Sequence, residues 1–241
     1  MSNFWLAFSF LTTLPVPNFH FDKAKLGQAG LWFPLVGTCL GGLLAGAYWL
    51  LSGWLPASIT AVLVIMLWAG LTGGLHLDGL ADCCDALLAP VSPARRLEIL
   101  RDPRLGTFGA VGLLLVLLLK ITAVSHLTTP VIPFLLATVL ARWCVLPLAR
   151  LPQARKEGFG VAFAADLTNN IVAGAAILPL IIIGWAIWVG GLTAVLATII
   201  PLSVAGLITR FGYRRLEGAT GDLFGLVIEG VETAVLVVFT L

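Results

Sequence analysis

The chain has 241 residues, of which 59% are hydrophobic and only 11% are charged, and its formal net charge at pH 7 is +2. A mean hydropathy of +1.04 excludes an ordinary soluble globular protein. The sequence has no run of lysine and arginine of the kind that follows nucleic-acid phosphates, so we expect no nucleic-acid partner. Its four cysteines form no C-x-x-C pair, which argues against both a zinc site and a disulfide framework.

Apolar stretches follow one another along the whole chain, and several approach the length of a membrane span. We therefore predict an all-α fold, a polytopic helical bundle in a lipid bilayer, with about six to seven transmembrane helices of roughly 20 residues each. We expect a single domain over residues 1–241. The predicted spans are 31–55, 58–75, 111–127, 131–148, 171–189 and 192–208, with a shorter last stretch over 226–241.

The first apolar stretch, residues 4–14, is too short to cross a bilayer. It ends at Pro15 and Pro17, and two prolines stop a helix. We predict a short interfacial or re-entrant segment there. No basic residue precedes the stretch and no small-residue cleavage site follows it, so we do not expect a removable signal peptide.

The basic residues predict the orientation of the chain in the membrane. Of the 14 lysines and arginines, only Lys120 and Arg142 lie inside predicted spans. The others lie in loops on one side of the membrane, which the positive-inside rule places in the cytoplasm. These loops are 18–30, 76–108, 150–170 and 210–225.

An acidic cluster follows the second predicted span. Asp78, Asp82 and Asp85 stand at i, i+4 and i+7, which places them on one face of a helix. Three ionised carboxylates on one face repel one another, and a divalent cation such as Mg²⁺ or Mn²⁺ would neutralise them. The alternative is a solvated acidic helix start, favoured by the helix dipole. The nearby His76 could bind substrate, act as a base or be structural.

A second acidic group begins in the segment Gly-Ala-Thr-Gly-Asp, residues 218–222. Asp222, Glu229 and Glu232 again have helical spacing. Acids at the mouth of an apolar helix are usually functional, which favours metal or substrate binding. The alternative is that the two glutamates reach the membrane interface or pair with arginines of the preceding loop. Those arginines are Arg210, Arg214 and Arg215.

Two further groups of basic residues have unusual positions. Arg101 and Arg104 lie beside glycines ahead of a predicted span, and guanidinium groups with free backbone N–H groups suit phosphate oxygens. Ordinary positive-inside charge explains the same pattern. Lys120 and Arg142, inside apolar runs, each need an acidic partner or an anionic ligand, and structural pairing is the commoner case.

Acids and arginines gathered on one side of a membrane fit metal-assisted phosphoryl transfer between a membrane-associated substrate and a nucleotide. Two alternatives fit less well. A CDP-alcohol phosphotransferase requires Asp-x-x-Asp-Gly-x-x-Ala-Arg, and no Ala-Arg follows Asp82 at that spacing. An ion-coupled transporter requires acids near the middle of the membrane and a duplicated half, whereas these acids lie at the ends of predicted spans and no repeat is evident.

Four motifs together resemble the cobalamin synthase family, the adenosylcobinamide-GDP ribazoletransferases. The resemblance implies that a ribose hydroxyl of α-ribazole, or of its 5′-phosphate, attacks adenosylcobinamide-GDP and displaces GMP. It further implies a Mg²⁺-dependent, multi-pass enzyme of the bacterial inner membrane, and leaves open whether the chain forms a homo-oligomer. The motifs are FLTTLPVP (10–17), GGLHLDGLAD (73–82), RLEILRDPRLGT (96–107) and GATGD (218–222).

Carried over onto matching positions, with the individual roles inferred from chemistry and spacing, the motifs predict three groups of site residues. In the first group, Asp82 or Asp85 would take the proton of the attacking hydroxyl, with His76 as a further catalytic candidate. The diphosphate of the substrate would be held by Arg101 and Arg104, with Asp102 and Thr220. The predicted metal ligands are Asp78, Asp82, Asp85, Asp222, Glu229 and Glu232.

Overall fold

The structure, a computed structural model, describes residues 2–17 and 25–241. These residues are mostly helical and contain no β-strand, apart from an isolated bridge between Gln153 and Ala219. The all-α prediction is confirmed. The first half of the described chain forms α1 (Ser2–Leu11), α2 (Leu26–Ala29), a 3₁₀ turn (Gly30–Trp32), α3 (Phe33–Ser52), α4 (Ala57–Leu71), α5 (Leu75–Leu88) and α6 (Pro93–Ile99). The second half forms α7 (Thr107–Ser125), α8 (Val131–Ala149), α9 (Phe159–Ala165), α10 (Asn169–Ala175), α11 (Ile177–Leu216) and α12 (Gly221–Val238).

Several helices are long and apolar enough to cross a membrane, which confirms a polytopic membrane protein. Among the described residues there are four such stretches, or five if the bent pair of α4 and α5 forms one span. Compared with five spans, the predicted upper count of seven treats two further segments as separate spans. The four stretches are Leu26–Ser52, Thr107–Ser125, Val131–Ala149 and Asn169–Leu216.

The difference in count has two physical sources. The predicted spans 171–189 and 192–208 lie in one helical stretch that is interrupted at Gly191, where φ is 56° and ψ is −135°. Glycine adopts this backbone readily, so the stretch has two arms, as the sequence predicted from Gly190 and Gly191. The last predicted span is α12, which carries three acids along its 18 residues.

The centre of the bundle is formed by α8 and α12, which pack against each other. Nearly all of α8 is buried among α3, α11 and α12. By contrast, α7 exposes a row of leucines, as expected for a helix that contacts lipid. Trp54 and Trp188 are strongly exposed near the connections at 53–56 and 190–191, the positions that tryptophan favours at a membrane interface.

Candidate active site

A sharp bend separates the acidic helix from the span before it. Gly73 and Gly74 have φ values of 61° and 69°, a left-handed backbone that glycine adopts without steric cost. The axes of α4 and α5 differ by 91° across this bend. The sequence predicted that the span continues directly into the acidic cluster, whereas α4 ends at Leu71 and α5 starts in a new direction at Leu75.

The acids of α5 and α12 come together because two glycines let these helices touch. A Cβ atom on Gly79 would lie 2.9 Å from the carbonyl oxygen of Asp222, and one on Gly225 would lie 3.0 Å from that of His76. Thr220 caps α12, since its hydroxyl accepts a hydrogen bond from the backbone N–H of Leu223 at 3.2 Å. The predicted helical placement of Asp78, Asp82 and Asp85 on α5 is confirmed.

A cavity of about 480 Å³ opens beside this contact. It lies between α1, α5, α12 and the loop that precedes α9. Neither Asp82 nor Asp85 lines it. Its polar lining includes His76, Asp78, Gln153, Arg155, Glu157, Thr220 and Asp222.

Asp82 lies in a strongly acidic environment. Partial burial, followed by the negative charges of Asp78, Asp222 and Asp85, raises the pKa of its carboxyl group to about 6, although the positive charge of Arg155 lowers it. Asp78 and Asp222 therefore act on Asp82 from two different helices. Carboxylates that raise one another's pKa in this way are typical of functional sites.

Asp85 has a different role from the other acids of α5. Its Oδ2 accepts a hydrogen bond from the backbone N–H of Gly106 at 2.8 Å, and its Oδ1 accepts one from Gly109 at 2.8 Å. Asp85 thus anchors the N-terminus of α7, where a negative charge is favourable. Both glycines are needed, because a Cβ atom on either would overlap the carboxylate.

The predicted diphosphate-binding residues Arg101 and Arg104 lie in an exposed loop outside the cavity. The guanidinium of Arg104 donates from Nε and Nη2 to Asp102 at 2.9 and 2.6 Å. These hydrogen bonds, with one from the backbone of Arg104, lower the pKa of Asp102 to about 2. A hydrogen bond from Gly106 to Asp85 ties the end of this loop to the acidic helix.

Glu229 and Glu232, both predicted as metal ligands, lie instead in a buried ion-pair group with Lys120 and Arg142. Lys120 Nζ lies 2.6 Å from an oxygen of each glutamate, and Arg142 pairs with the other oxygen of Glu232. All four side chains are almost fully buried. The two cations balance the negative charges of the two glutamates, so this group has no net negative charge for a metal ion to neutralise. The pairing expected for Lys120 and Arg142 is confirmed, but the loop arginines are not the partners.

His76 is buried and lines the cavity. Its Nε2 atom has no hydrogen-bond partner among the described residues. Burial, followed by the positive charges of Arg142 and Lys120, lowers the pKa of His76 well below its usual value. The imidazole is therefore neutral at pH 7, with one N–H donor and one acceptor nitrogen to offer a ligand.

Comparison with known proteins agrees with the four motifs. A family model described as cobalamin-5-phosphate synthase matches residues 3–240. The chain belongs to the cobalamin-5-phosphate synthase family. The resemblance stated from the sequence is thereby confirmed, which argues against the transporter and CDP-alcohol phosphotransferase alternatives.

Curated relatives of the chain are named adenosylcobinamide-GDP ribazoletransferase. One from Stutzerimonas stutzeri is 41% identical and aligns over 96% of this chain and 95% of its own length. One from Desulfitobacterium hafniense is 38% identical, over 95% and 92%. One from Pseudomonas savastanoi is 38% identical over the full length of both chains. No solved structure matches the chain.

Sequence reasoning missed one residue of this site, Arg155. Its Nη1 lies 3.2 Å from Asp222 Oδ2, while its Nε and Nη2 are buried without a hydrogen-bond partner in the described chain. Two backbone hydrogen bonds hold its loop against the Gly-Ala-Thr-Gly-Asp segment, from Ala154 to Ala219 and from Ala219 to Pro152, each 2.9 Å. The only sequence signal was its position in a polar loop on the charged side.

The carboxylates of this site suit a divalent cation, although they are not gathered around one. Among residues 2–17 and 25–241, no group of three or more His, Cys, Asp or Glu side chains is close enough to share a metal ion. Asp78 and Asp222 nevertheless face the same cavity. Mg²⁺ commonly takes one or two carboxylates and completes its shell with water and substrate phosphates, so two facing carboxylates fit it.

Proposed function

We propose that this chain is an adenosylcobinamide-GDP ribazoletransferase. It joins adenosylcobinamide-GDP to α-ribazole, or to α-ribazole 5′-phosphate, and releases GMP with adenosylcobalamin or its 5′-phosphate. The names of the curated relatives support this reaction. The structural observation that carries it is the meeting of Asp78, Asp82 and Asp222 with Arg155 beside a cavity at the end of the bundle.

Asp82 and Arg155 have different roles in the proposed reaction. A ribose hydroxyl attacks the phosphorus attached to cobinamide, the bond from that phosphorus to GMP breaks, and GMP leaves. Asp82 accepts the hydroxyl proton, because the oxygens of Asp85 are bound to the start of α7. Arg155 directs guanidinium N–H groups at phosphate or ribose oxygens.

Asp78 and Asp222 would hold Mg²⁺, and the bound ion would neutralise the negative charge of the diphosphate. Asp85 and Thr220 have positioning roles at the starts of α7 and α12. Glu229 and Glu232 are left out of the metal site because Lys120 and Arg142 neutralise them. His76 contacts substrate as a neutral donor or acceptor.

We further propose that the protein lies in the bacterial inner membrane as one domain, with the site facing the cytoplasm. The charged loops support this orientation through the positive-inside rule. They also meet in the structure: Arg155 pairs with Asp222, Arg215 donates to the backbone of Leu87, and Gln28 donates to Asp166. A soluble nucleotide substrate would reach such a site directly.

Product stoichiometry tests the proposed reaction. Purified, detergent-solubilised protein given adenosylcobinamide-GDP, α-ribazole and Mg²⁺ is expected to release one GMP for each complete corrinoid formed. Chromatography of both products measures the ratio, and omission of α-ribazole is the control. GMP release that does not depend on α-ribazole would show hydrolysis rather than transfer, and no GMP with α-ribazole or its 5′-phosphate, from folded protein, would contradict the proposal.

A further inference from the structure

One side of the cavity is a continuous wall of phenylalanine rings. The rings of Phe33 and Phe163 stack with centroids 5.0 Å apart, and Phe10 stacks on Phe33 at 6.1 Å. Phe159 joins the row through Phe10 at 5.9 Å, and Phe224 joins it through Phe163 at 6.2 Å. All five line the cavity, and we call them the phenylalanine wall. They come from α1, α3, α9 and α12, so the tertiary fold assembles the wall.

Another part of the cavity lining is polar, and some of its hydrogen-bonding capacity is unused. Among the described residues, His76 Nε2 and the Nε and Nη2 atoms of Arg155 are buried without hydrogen-bond partners. Buried polar atoms in proteins nearly always have a partner. The cavity is therefore suited to a ligand that has an apolar aromatic end and a polar end rich in oxygen.

The two substrates differ sharply in how well they match this cavity. A volume of about 480 Å³ encloses a ligand of ordinary drug size, which describes α-ribazole, a nucleoside of dimethylbenzimidazole. The corrinoid substrate is several times larger and does not fit inside. Its guanine base would fit by size, but phenylalanine side chains offer no hydrogen bonds to the polar edge of guanine, and burying that edge without partners is unfavourable.

We propose that the cavity is the α-ribazole site, with the dimethylbenzimidazole ring against the phenylalanine wall and the ribose directed toward Arg155 and Asp222. Aromatic rings bind one another by offset stacking and edge-to-face contacts, and two ring methyl groups extend the apolar surface of this base. The polar end then presents the ribose hydroxyls near the acids of α5 and α12. This assignment rests on the proposed function and adds which substrate enters the cavity.

Equilibrium binding of α-ribazole alone tests the assignment without turnover. The variant Phe159→Ala removes a wall residue that is 54% exposed, so its loss should leave folding intact. We expect its Kd for α-ribazole to rise about tenfold. The matched control Phe211→Ala removes a ring that is 43% exposed and lies outside the cavity, and its Kd should not change. A thermal unfolding midpoint for each variant checks its folding.

A second variant fills the cavity and leaves the wall intact. Val161 lines the cavity, and Val161→Trp is expected to raise the KM for α-ribazole at least about tenfold while the KM for adenosylcobinamide-GDP stays within about twofold. Any of three results would overturn the assignment: unchanged α-ribazole binding in both variants, equal rises in both KM values, or displacement of α-ribazole by GMP. If α-ribazole binding depends on the phenylalanine wall but the protein never releases GMP, only the proposed function is contradicted. If both variants turn over normally and bind α-ribazole as the unaltered chain does, only the assignment is contradicted.

Discussion

The Asp82→Asn variant is expected to release GMP about a thousandfold more slowly than the unaltered chain, since a positioned general base contributes roughly 10²–10⁴ to a rate. Asparagine has the same shape but cannot take the hydroxyl proton. The change also removes one of several mutually repelling carboxylates, so the fold should not be weakened. Single-turnover GMP release at saturating substrates measures the effect on the chemical step.

The matched control is Glu98→Gln, the same carboxylate-to-amide change at a surface ion pair with Arg95 whose side chains are both 63% exposed. Exposed pairs of this kind contribute little, and this variant should keep full activity. A kcat for Asp82→Asn within about threefold of the unaltered chain would remove Asp82 as the base, because a loss that small is far below the contribution of a general base.

The Glu232→Gln variant is expected to lose about 3–5 kcal/mol of folding stability, the usual cost of breaking a buried ion pair and leaving a charge unpaired. Glu232 is fully buried and contacts both Lys120 and Arg142, so two cations would face one remaining glutamate. For a chain of this size the loss corresponds to a fall of about 6–20 °C in Tm. Thermal unfolding in one detergent measures it.

Restoring the charge balance provides the control for Glu232. The double variant Arg142→Met with Glu232→Gln removes one charge of each sign and should be more stable than Glu232→Gln alone. If Glu232→Gln keeps its Tm within about 2 °C, less than one kcal/mol for a chain of this length, the ion-pair group does not stabilise the bundle. In that case Glu232 becomes available again as a metal ligand.

The acidic helix was predictable because its evidence is local. Asp78, Asp82 and Asp85 repeat at helical spacing, and the structure places all three on α5. The bend before α5 was not predicted, because the apolar residues of the second predicted span continue without a charged residue or proline up to the acidic cluster. Two successive glycines, Gly73 and Gly74, were the only sign of it, and glycine is also common inside membrane helices.

The partners of the buried charges could not be predicted, because they depend on long-range packing. Lys120 is 109 positions from Glu229 and 112 from Glu232, and only the packing of α7 against α12 brings them together. The sequence instead favoured metal or substrate binding by the two glutamates, with the arginines of the 210–225 loop as alternative partners. Arg155 was missed for the same reason, since a tertiary contact alone places it beside Asp222.

The proposed site requires that Asp78 and Asp222 bind a divalent cation together. The most direct measurement is an electron paramagnetic resonance titration of Mn²⁺, which replaces Mg²⁺ at oxygen sites, into protein holding adenosylcobinamide-GDP without α-ribazole. We expect stoichiometric binding by the unaltered chain and by Glu98→Gln, and affinity at least about tenfold lower in Asp222→Asn and Asp78→Asn. Equal Mn²⁺ affinity in all four proteins would contradict a metal site shared between α5 and α12.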